Sequence, residues 1–425
     1  MELRVFGLLL LTLFISMPVD ARQKDLQAMI DAAQDGAVID IPTGIYEGPI
    51  AITRPLTLRG VGDVEIVSSG EDPAIRIEKT VGVTVENLKV KAQEKAVVAS
   101  DITDLILKDL SIENVHAGIH IQRAVEVDVA NVIVSGNNQH YSKKGNGIAV
   151  YESSEVRVNN SKIQNVQDGL YIEKVQRIEI ENNVVMNSRY GTHFMYTKNA
   201  LATKNEYRDN VTGFMIMMTE NLRIDDNVIA RQSDLNGYGL LLYDVQNTQL
   251  FNNDIQSNRT GVALQKSKGI AIEENTFQMN QTAIEVTNAD KGSIVQKNTF
   301  TGNILTARSD SKAIALSQNF YDDYVGLDVD EDGIGDTPYV AFSSFGQWMV
   351  CQPVYQYFIE SPSVVLLTSL DQQINKLEQS VLVDQEPVLR VSVPKKQASG
   401  INAFQLISGL MLLVVSLLLW RRGMK

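Results

Sequence analysis

The sequence predicts an all-β chain, a right-handed parallel β-helix wound from coils of about 22 residues. Three observations predict it. Glycines recur at Gly147, Gly169, Gly191 and Gly213, then after a four-residue insertion at Gly239 and Gly261, with Ala283 in the next equivalent place and Gly118 opening an earlier, longer unit. Fourteen residues beyond most of these glycines stands an asparagine (Asn183, Asn205, Asn227, Asn253, Asn275), followed two places later by Val185, Tyr207, Ile229, Ile255 and Phe277. Finally, apolar residues alternate after each glycine, as in Leu170 and Ile172, Phe214 and Ile216, Leu240 and Leu242, Val262 and Leu264. A fixed period of this length marks a solenoid. Period-two alternation marks strands with one buried face, and three-and-four helical spacing is missing.

The elements follow in chain order. Residues 1–21 carry Arg4, an apolar run from Val5 to Ile15, and small Val19 and Ala21 before a cleavage point. That pattern predicts a secretory signal peptide cut after Ala21. "DLQAMIDAAQDG" places Leu26, Met29, Ile30 and Ala33 on one helical face, a plug for the open end of a solenoid spanning 22–343. Each inward strand residue leaves its neighbours pointing out, and the stacked asparagines satisfy the tight corners. Residues 344–380 leave the β repeat. Val364, Leu367, Leu370 and Ile374 fit one helical face there, so a helical cap is expected. A linker with Pro387 and Pro394 covers 381–402. The uncharged stretch 403–420 would span roughly 27 Å as a helix, enough for the hydrocarbon layer. Trp420 suits the interface, and 421–425, with Arg421, Arg422 and Lys425, suits a cytoplasmic tail.

Composition narrows the function. Of 425 residues 44% are hydrophobic and 21% charged, with a formal charge of −13. No basic stripe is available to neutralise phosphates, so nucleic acid is excluded as a partner, and a polyanionic polysaccharide fits poorly. The lone Cys351 rules out an internal disulfide framework and a thiolate-only metal site. His116, His120, His140 and His193 are the only histidines, so a metal site needs other donors too.

Such donors cluster in two neighbouring coils, "GTHFMYTKNA" and "GFMIMMTENL". If the first and third residues after each glycine face inward, the second and fourth face out. Tyr171, His193, Met215 and Leu241 then form one outward column, and Glu173, Met195, Met217 and Tyr243 another. Adjacent coils lie about 4.8 Å apart and alternate strand residues about 7 Å apart. His193, Met195, Met215 and Met217 therefore become corners of one patch, bordered by Met218 and Tyr196. Thioethers are soft, uncharged donors that with one imidazole suit Cu(I), and weak neutral donors also permit release. The same residues also suit a contact surface for a partner subunit, or packing under a loop. The insertion "ARQSDLNGY" lies next to this face as a candidate lip. His116, His120 and His140 stand away from the patch and are expected to be ordinary surface residues.

A second motif, "GLDVDEDGIGDTPY", sets Asp328, Asp330, Asp332 and Asp336 around a glycine turn. It matches the first half of a calcium loop without the closing bidentate glutamate. A turn held by its own aspartate side chains would look the same.

Two function classes follow. One is a metal-carrying accessory protein without catalysis. The other is a β-helix polysaccharide lyase, epimerase or hydrolase, since fold does not decide function. That class needs paired acids or a base beside charge-neutralising Arg or Lys. Among the outward positions of the middle coils Glu173 stands alone, and the D-P-H-D motif of mannuronan epimerases is absent.

The opening "LQAMIDAAQDGAVIDIPTGIYEGPIAITRPLTLRG" resembles the start of carbohydrate-binding and sugar-hydrolase β-helix domains. "RYGTHFMY", "GYGLLLYD" and "YVGLDVDEDGIGDTPY", with a helix beginning "ESPSVV", resemble the NosD family over nearly the whole mature chain. Members are periplasmic copper-binding proteins needed to mature nitrous oxide reductase. The resemblance implies a β-helix on the outer face of an ABC transporter built from a permease and a cytoplasmic ATPase. It also implies receipt of Cu(I) from a copper chaperone lipoprotein and its passage to nitrous oxide reductase. The C-terminal anchor in the inner membrane departs from the family's usual pattern.

Overall fold

Three strands make each central coil, and every one finds its partner a coil later. In a computed structural model, residues 26–289, 292–310, 314–341, 353–358, 361–374 and 382–390 are described. They form a parallel β-solenoid of about 13 turns. One coil consists of strands Tyr190–Met195, Lys198–Thr203 and Glu206–Arg208. The next consists of Thr212–Met217, Glu220–Asp225 and Val228–Ala230. Pairing is parallel with Thr192 opposite Phe214, Ala200 opposite Leu222 and Tyr207 opposite Ile229. The stagger equals the sequence repeat, so like residues stack on like along the axis.

The inward columns make one continuous core. Leu170, Ile172, Phe194, Phe214, Ile216, Leu240, Leu242, Val262 and Leu264 are all fully buried. Thr192 occupies an inward place as a polar exception. Its hydroxyl lies 2.8 Å from that of Tyr207, so each buried hydroxyl is satisfied by the other. Burial pushes the Tyr207 phenol well above its ordinary pKa, and it remains protonated.

The recurrent glycines have a steric cause. A Cβ on Gly191 would stand 2.4 Å from Tyr207 Cδ1 and 2.5 Å from the carbonyl of Gly213. The chain turns into this strand so closely that any side chain would strike both the core and the next coil.

The asparagine ladder forms as expected. Asn183 Nδ2 donates to the Val158 carbonyl at 2.9 Å and to Asn205 Oδ1 at 3.0 Å, and the Asn183 amide donates to the same Oδ1 at 2.9 Å. The pattern continues through Asn227, Asn253, Asn275, Asn298 and Asn319. A second ladder, not anticipated, runs along another corner through Ser188, Asn210, Gln232, Asn258, Asn280 and Asn303.

At the N-terminal end, helix Leu26–Ala32 buries Leu26 and Ile30 and packs Met29 and Ala33 against the first coils. The other end differs from expectation in two ways, the exposure of Leu370 and the return of residues 382–390. A 3-10 helix, Pro353–Phe358, precedes the α-helix Pro362–Ile374. That helix seats Val364 against Ile304 and Leu367, whereas Leu370 is exposed. At about 100° per residue Leu370 has rotated past the contact. Residues 382–390, read from sequence as the start of a linker, instead return to the solenoid. Val383–Asp384 forms a strand against Leu316 and Tyr339–Val340. Buried Asp384 then terminates the asparagine ladder, accepting from the Asn319 amide at 3.1 Å, Asn319 Nδ2 at 3.0 Å and the Tyr321 hydroxyl at 3.0 Å. No helix among the described residues is long and apolar enough to cross a membrane. The expected signal peptide (1–21) and membrane stretch (403–420) lie outside the described residues.

Candidate metal site

Strand register brings the predicted four together. His193 pairs with Met215 and Met195 with Met217, and one coil earlier Tyr171 pairs with His193 and Glu173 with Met195. Phe194 and Ile216, the residues between, point into the core, so the four share the outer face.

Their exposure is unequal. Met195, Met215, Met217 and Met218 are half-buried, but His193 is only 7% exposed rather than open to solvent. Two phenols cover it. The rings of Tyr171 and Tyr190 meet the imidazole edge-on, at 5.0 and 5.1 Å between centroids. The strand ends at Met217. Met218 and Tyr196 take left-handed corner conformations, with φ of 50° and 51°, and border the face without extending it.

Beneath the imidazole lies a group the sequence reading missed. Asp168, fully buried, receives Arg189 Nε and Nη2 at 2.8 Å each, and its Oδ2 lies 3.0 Å from His193 Nδ1. The other ring nitrogen, His193 Nε2, is buried with no hydrogen-bond partner among the described residues. An orphaned buried nitrogen is costly and calls for a ligand.

On the Met195 side, the Tyr171 hydroxyl is 2.9 Å from Glu173 Oε2 and 3.3 Å from Met195 Sδ. Burial first, and the Glu173 hydrogen bond second, push this phenol well above its ordinary pKa. This face of the coils thus carries three half-buried thioethers beside an imidazole whose unpartnered nitrogen is buried. Such a soft, neutral set suits Cu(I) and ill suits Mg²⁺, Ca²⁺ or Zn²⁺.

The other expectations resolve differently. His120 packs on Tyr151 at 4.8 Å between centroids, and burial depresses its pKa. His140 caps the short turn Tyr141–Lys143. His120 stands in the same outward column as His193 but three coils away, through Ala149 and Tyr171, and so does not adjoin the patch. Arg231, Ser233 and Asp234 of the insertion line a groove of about 380 Å³ together with Tyr141 and residues of the two preceding coils, and the four metal candidates do not line it. In the acidic loop, the carboxylates of Asp328, Asp330 and Asp332 gather within 4.8 Å of one another, without Asp336. Asp336 instead accepts from the Val329 amide at 2.6 Å. Asp328 accepts from the amides of Asp332 and Gly333, and Asp332 from that of Ile334. The loop therefore closes on its own side chains.

Comparison with known proteins agrees with this picture at two depths. Over residues 130–326 the chain matches the family described as periplasmic copper-binding protein (NosD). Residues 20–216 match one described as rhamnogalacturonase A/epimerase, pectate lyase-like. Among solved structures, the A-module of mannuronan C-5 epimerase AlgE6 from Azotobacter vinelandii superimposes with a TM-score of 0.60 at 16% identity, covering 69% of this chain and 93% of that one. A family 28 exopolygalacturonase from Yersinia enterocolitica gives 0.52 at 12% identity, covering 69% and 73%. At these identities the likeness is one of fold, and it carries no chemistry. Two proteins called "Probable ABC transporter binding protein NosD" align along most of their length. The one from Stutzerimonas stutzeri is 24% identical over 384 residues, 84% of this chain and 87% of its own. The one from Pseudomonas aeruginosa is 24% identical over 410 residues, 90% and 95%. The copper-binding match spans the two coils that carry His193 and the methionines, and the full-length relatives bear the same family name, which together support membership of the NosD family.

Proposed function

We propose that this chain is a periplasmic copper-binding accessory subunit of an ABC transporter complex and not an enzyme. It receives Cu(I) from a chaperone lipoprotein and passes it to nitrous oxide reductase during maturation. The family description and the relatives' names support the compartment, the metal and the transporter. One observation carries the assignment of the site: His193 Nε2 is buried without a partner, and the histidine stands in register with Met215, beside the Met195–Met217 pair. His193, Met195, Met215 and Met217 hold the cargo ion, and Met218 borders it from the corner. The stretch 403–420 tethers the solenoid to the inner membrane.

Neutral thioethers bind Cu(I) without depending on a thiolate's charge, so the ion stays exchangeable between donor and acceptor proteins. The test is a Cu(I) titration of the mature chain under a competing chelator, beside a His193→Ala/Met215→Ala/Met217→Ala variant. The variant should lose high-affinity binding, and unchanged affinity would move the site elsewhere. In a deletion strain, nitrous oxide reductase should lack copper and growth on nitrous oxide should fail. A fully loaded reductase in that strain would reject the delivery role.

A further inference from the structure

The geometry around His193 says which of its nitrogens can take the metal, and why. A neutral imidazole carries one N–H and one lone-pair nitrogen. Asp168 is fully buried and, as a carboxylate, only accepts. Arg189, always charged, grips both its oxygens through two parallel bonds of 2.8 Å and keeps the buried anion paired. His193 Nδ1 lies 3.0 Å from Oδ2 of that same carboxylate. A lone pair on Nδ1 would face an oxygen lone pair at that distance. The contact is attractive only with the hydrogen on Nδ1, which leaves the lone pair on Nε2, the buried atom without a partner.

We infer that Asp168, clamped by Arg189, is a positioning residue for the metal. It fixes the Nδ1–H tautomer of His193 and presents Nε2 as the ligand atom. This deepens the copper reading and rests on it. Metal-bound imidazoles elsewhere are oriented by a hydrogen bond from the far nitrogen to a carboxylate or carbonyl, and losing that partner typically costs 10- to 100-fold in affinity. Here the carboxylate comes from the preceding coil and the clamp from the residues just before the histidine's own strand. The tautomer is therefore set before the metal arrives.

Asp168→Asn tests this without changing side-chain volume. Arg189 offers only donors, so the carboxamide oxygen turns to Arg189 and its NH₂ faces His193 Nδ1. That nitrogen must then accept, and the ring switches to the Nε2–H tautomer. The metal-free full chain, with ¹⁵N-labelled histidine in mildly alkaline buffer, should show His193 as Nδ1–H in wild type and Nε2–H in Asp168→Asn. Under a competing chelator, Asp168→Asn should bind Cu(I) about 10- to 100-fold more weakly. A wild-type ring in the Nε2–H form overturns the proposal whatever the variant does. If His193→Ala weakens binding while Asp168→Asn alters neither tautomer nor affinity, the positioning role falls and the copper site stands. If the tautomer switches but neither variant changes Cu(I) affinity, the copper site falls, and with it the role of Asp168 toward a metal.

Discussion

The phenolic oxygen of Tyr171 lies 3.3 Å from the sulfur of Met195, on the neighbouring coil. The same hydroxyl is 2.9 Å from Glu173 Oε2. It has one hydrogen and two acceptors, and the charged carboxylate is the stronger of them. Tyr171 therefore lies against a donor atom that the metal must reach, in a site that is otherwise preassembled by strand register.

Tyr171→Phe removes this obstacle and keeps the ring against His193. The single hydrogen goes mainly to Glu173, so the Met195 contact is worth at most one neutral hydrogen bond, about 0.5–1.5 kcal/mol net, and Cu(I) affinity should rise by at most about tenfold. Competition titration of the two proteins measures it. A fall in affinity would show that the phenol holds Met195 in place.

Gly213 sets the patch from a distance. A Cβ there would meet the Gly239 carbonyl at 2.6 Å and Ile229 Cγ2 at 2.9 Å, one a backbone atom and the other a core methyl. Neither yields cheaply, so Gly213→Ala must push out the start of the strand that carries Met215 and Met217. Overpacking of this kind costs about 1–3 kcal/mol. Thermal unfolding should shift down, and Cu(I) affinity should fall although no ligand is touched. A variant with wild-type affinity would show that the patch tolerates movement of its strand.

The glycine period, the inward apolar columns and the outward pairing of His193 with Met215 were legible because each recurs coil after coil. The groups beneath the site were not. Asp168 and Arg189 occupy the approach to the glycine, where strand alternation breaks; no other coil has an aspartate at the place of Asp168, and only Arg259, two before Gly261, repeats the arginine. Their contacts join residues 21 and 25 apart, spacings that match no repeat. The second ladder was hidden by its changing composition, since Ser188, Asn210 and Gln232 share a role but not a residue type. The return of Asp384 was invisible for a different reason. Its ladder partner Asn319 lies 65 residues away, and the strand is two residues long in a stretch that reads as linker. The burial of His193 depends on Tyr171 and on Tyr190, which opens the same strand as the histidine and figured in the sequence only within the motif "RYGTHFMY".

The asparagine ladder supplies the stiffness that holds this register. Asn227 Oδ1 accepts from the Asn205 amide at 2.8 Å, and Asn227 Nδ2 donates to the carbonyls of Ala202 and Asp225 and to Asn253 Oδ1. Asn227→Ala strands these groups in a buried corner that offers no substitute. Each orphaned group costs about 1–3 kcal/mol. The variant should unfold several degrees lower, and hydrogen exchange should rise first at the amides of the corner and not uniformly. Uniform exchange would mean that the coils do not open locally, against the nearest-neighbour behaviour expected of a solenoid.

Asp225 shows what an incomplete corner costs. Its Oδ1 is buried without a hydrogen-bond partner, and its Oδ2 meets Arg223 Nε. Burial raises the carboxyl pKa above the ordinary value, with Arg223 pulling the other way. A folded-state pKa above the unfolded one means that the folded chain holds the proton more tightly. The group's contribution to stability is then fullest below the unfolded pKa, near 3.9, and is lost as pH rises through the folded value. Asp225→Asn keeps the shape and removes the buried charge. At neutral pH it should unfold at a higher temperature than wild type, and the gap should narrow as pH is lowered toward the ordinary carboxylate range. Thermal scans of both proteins from neutral to mildly acidic buffer measure the difference. A gap that widened on acidification would mean that the ion pair with Arg223, and not the burial of Oδ1, decides the sign at this corner.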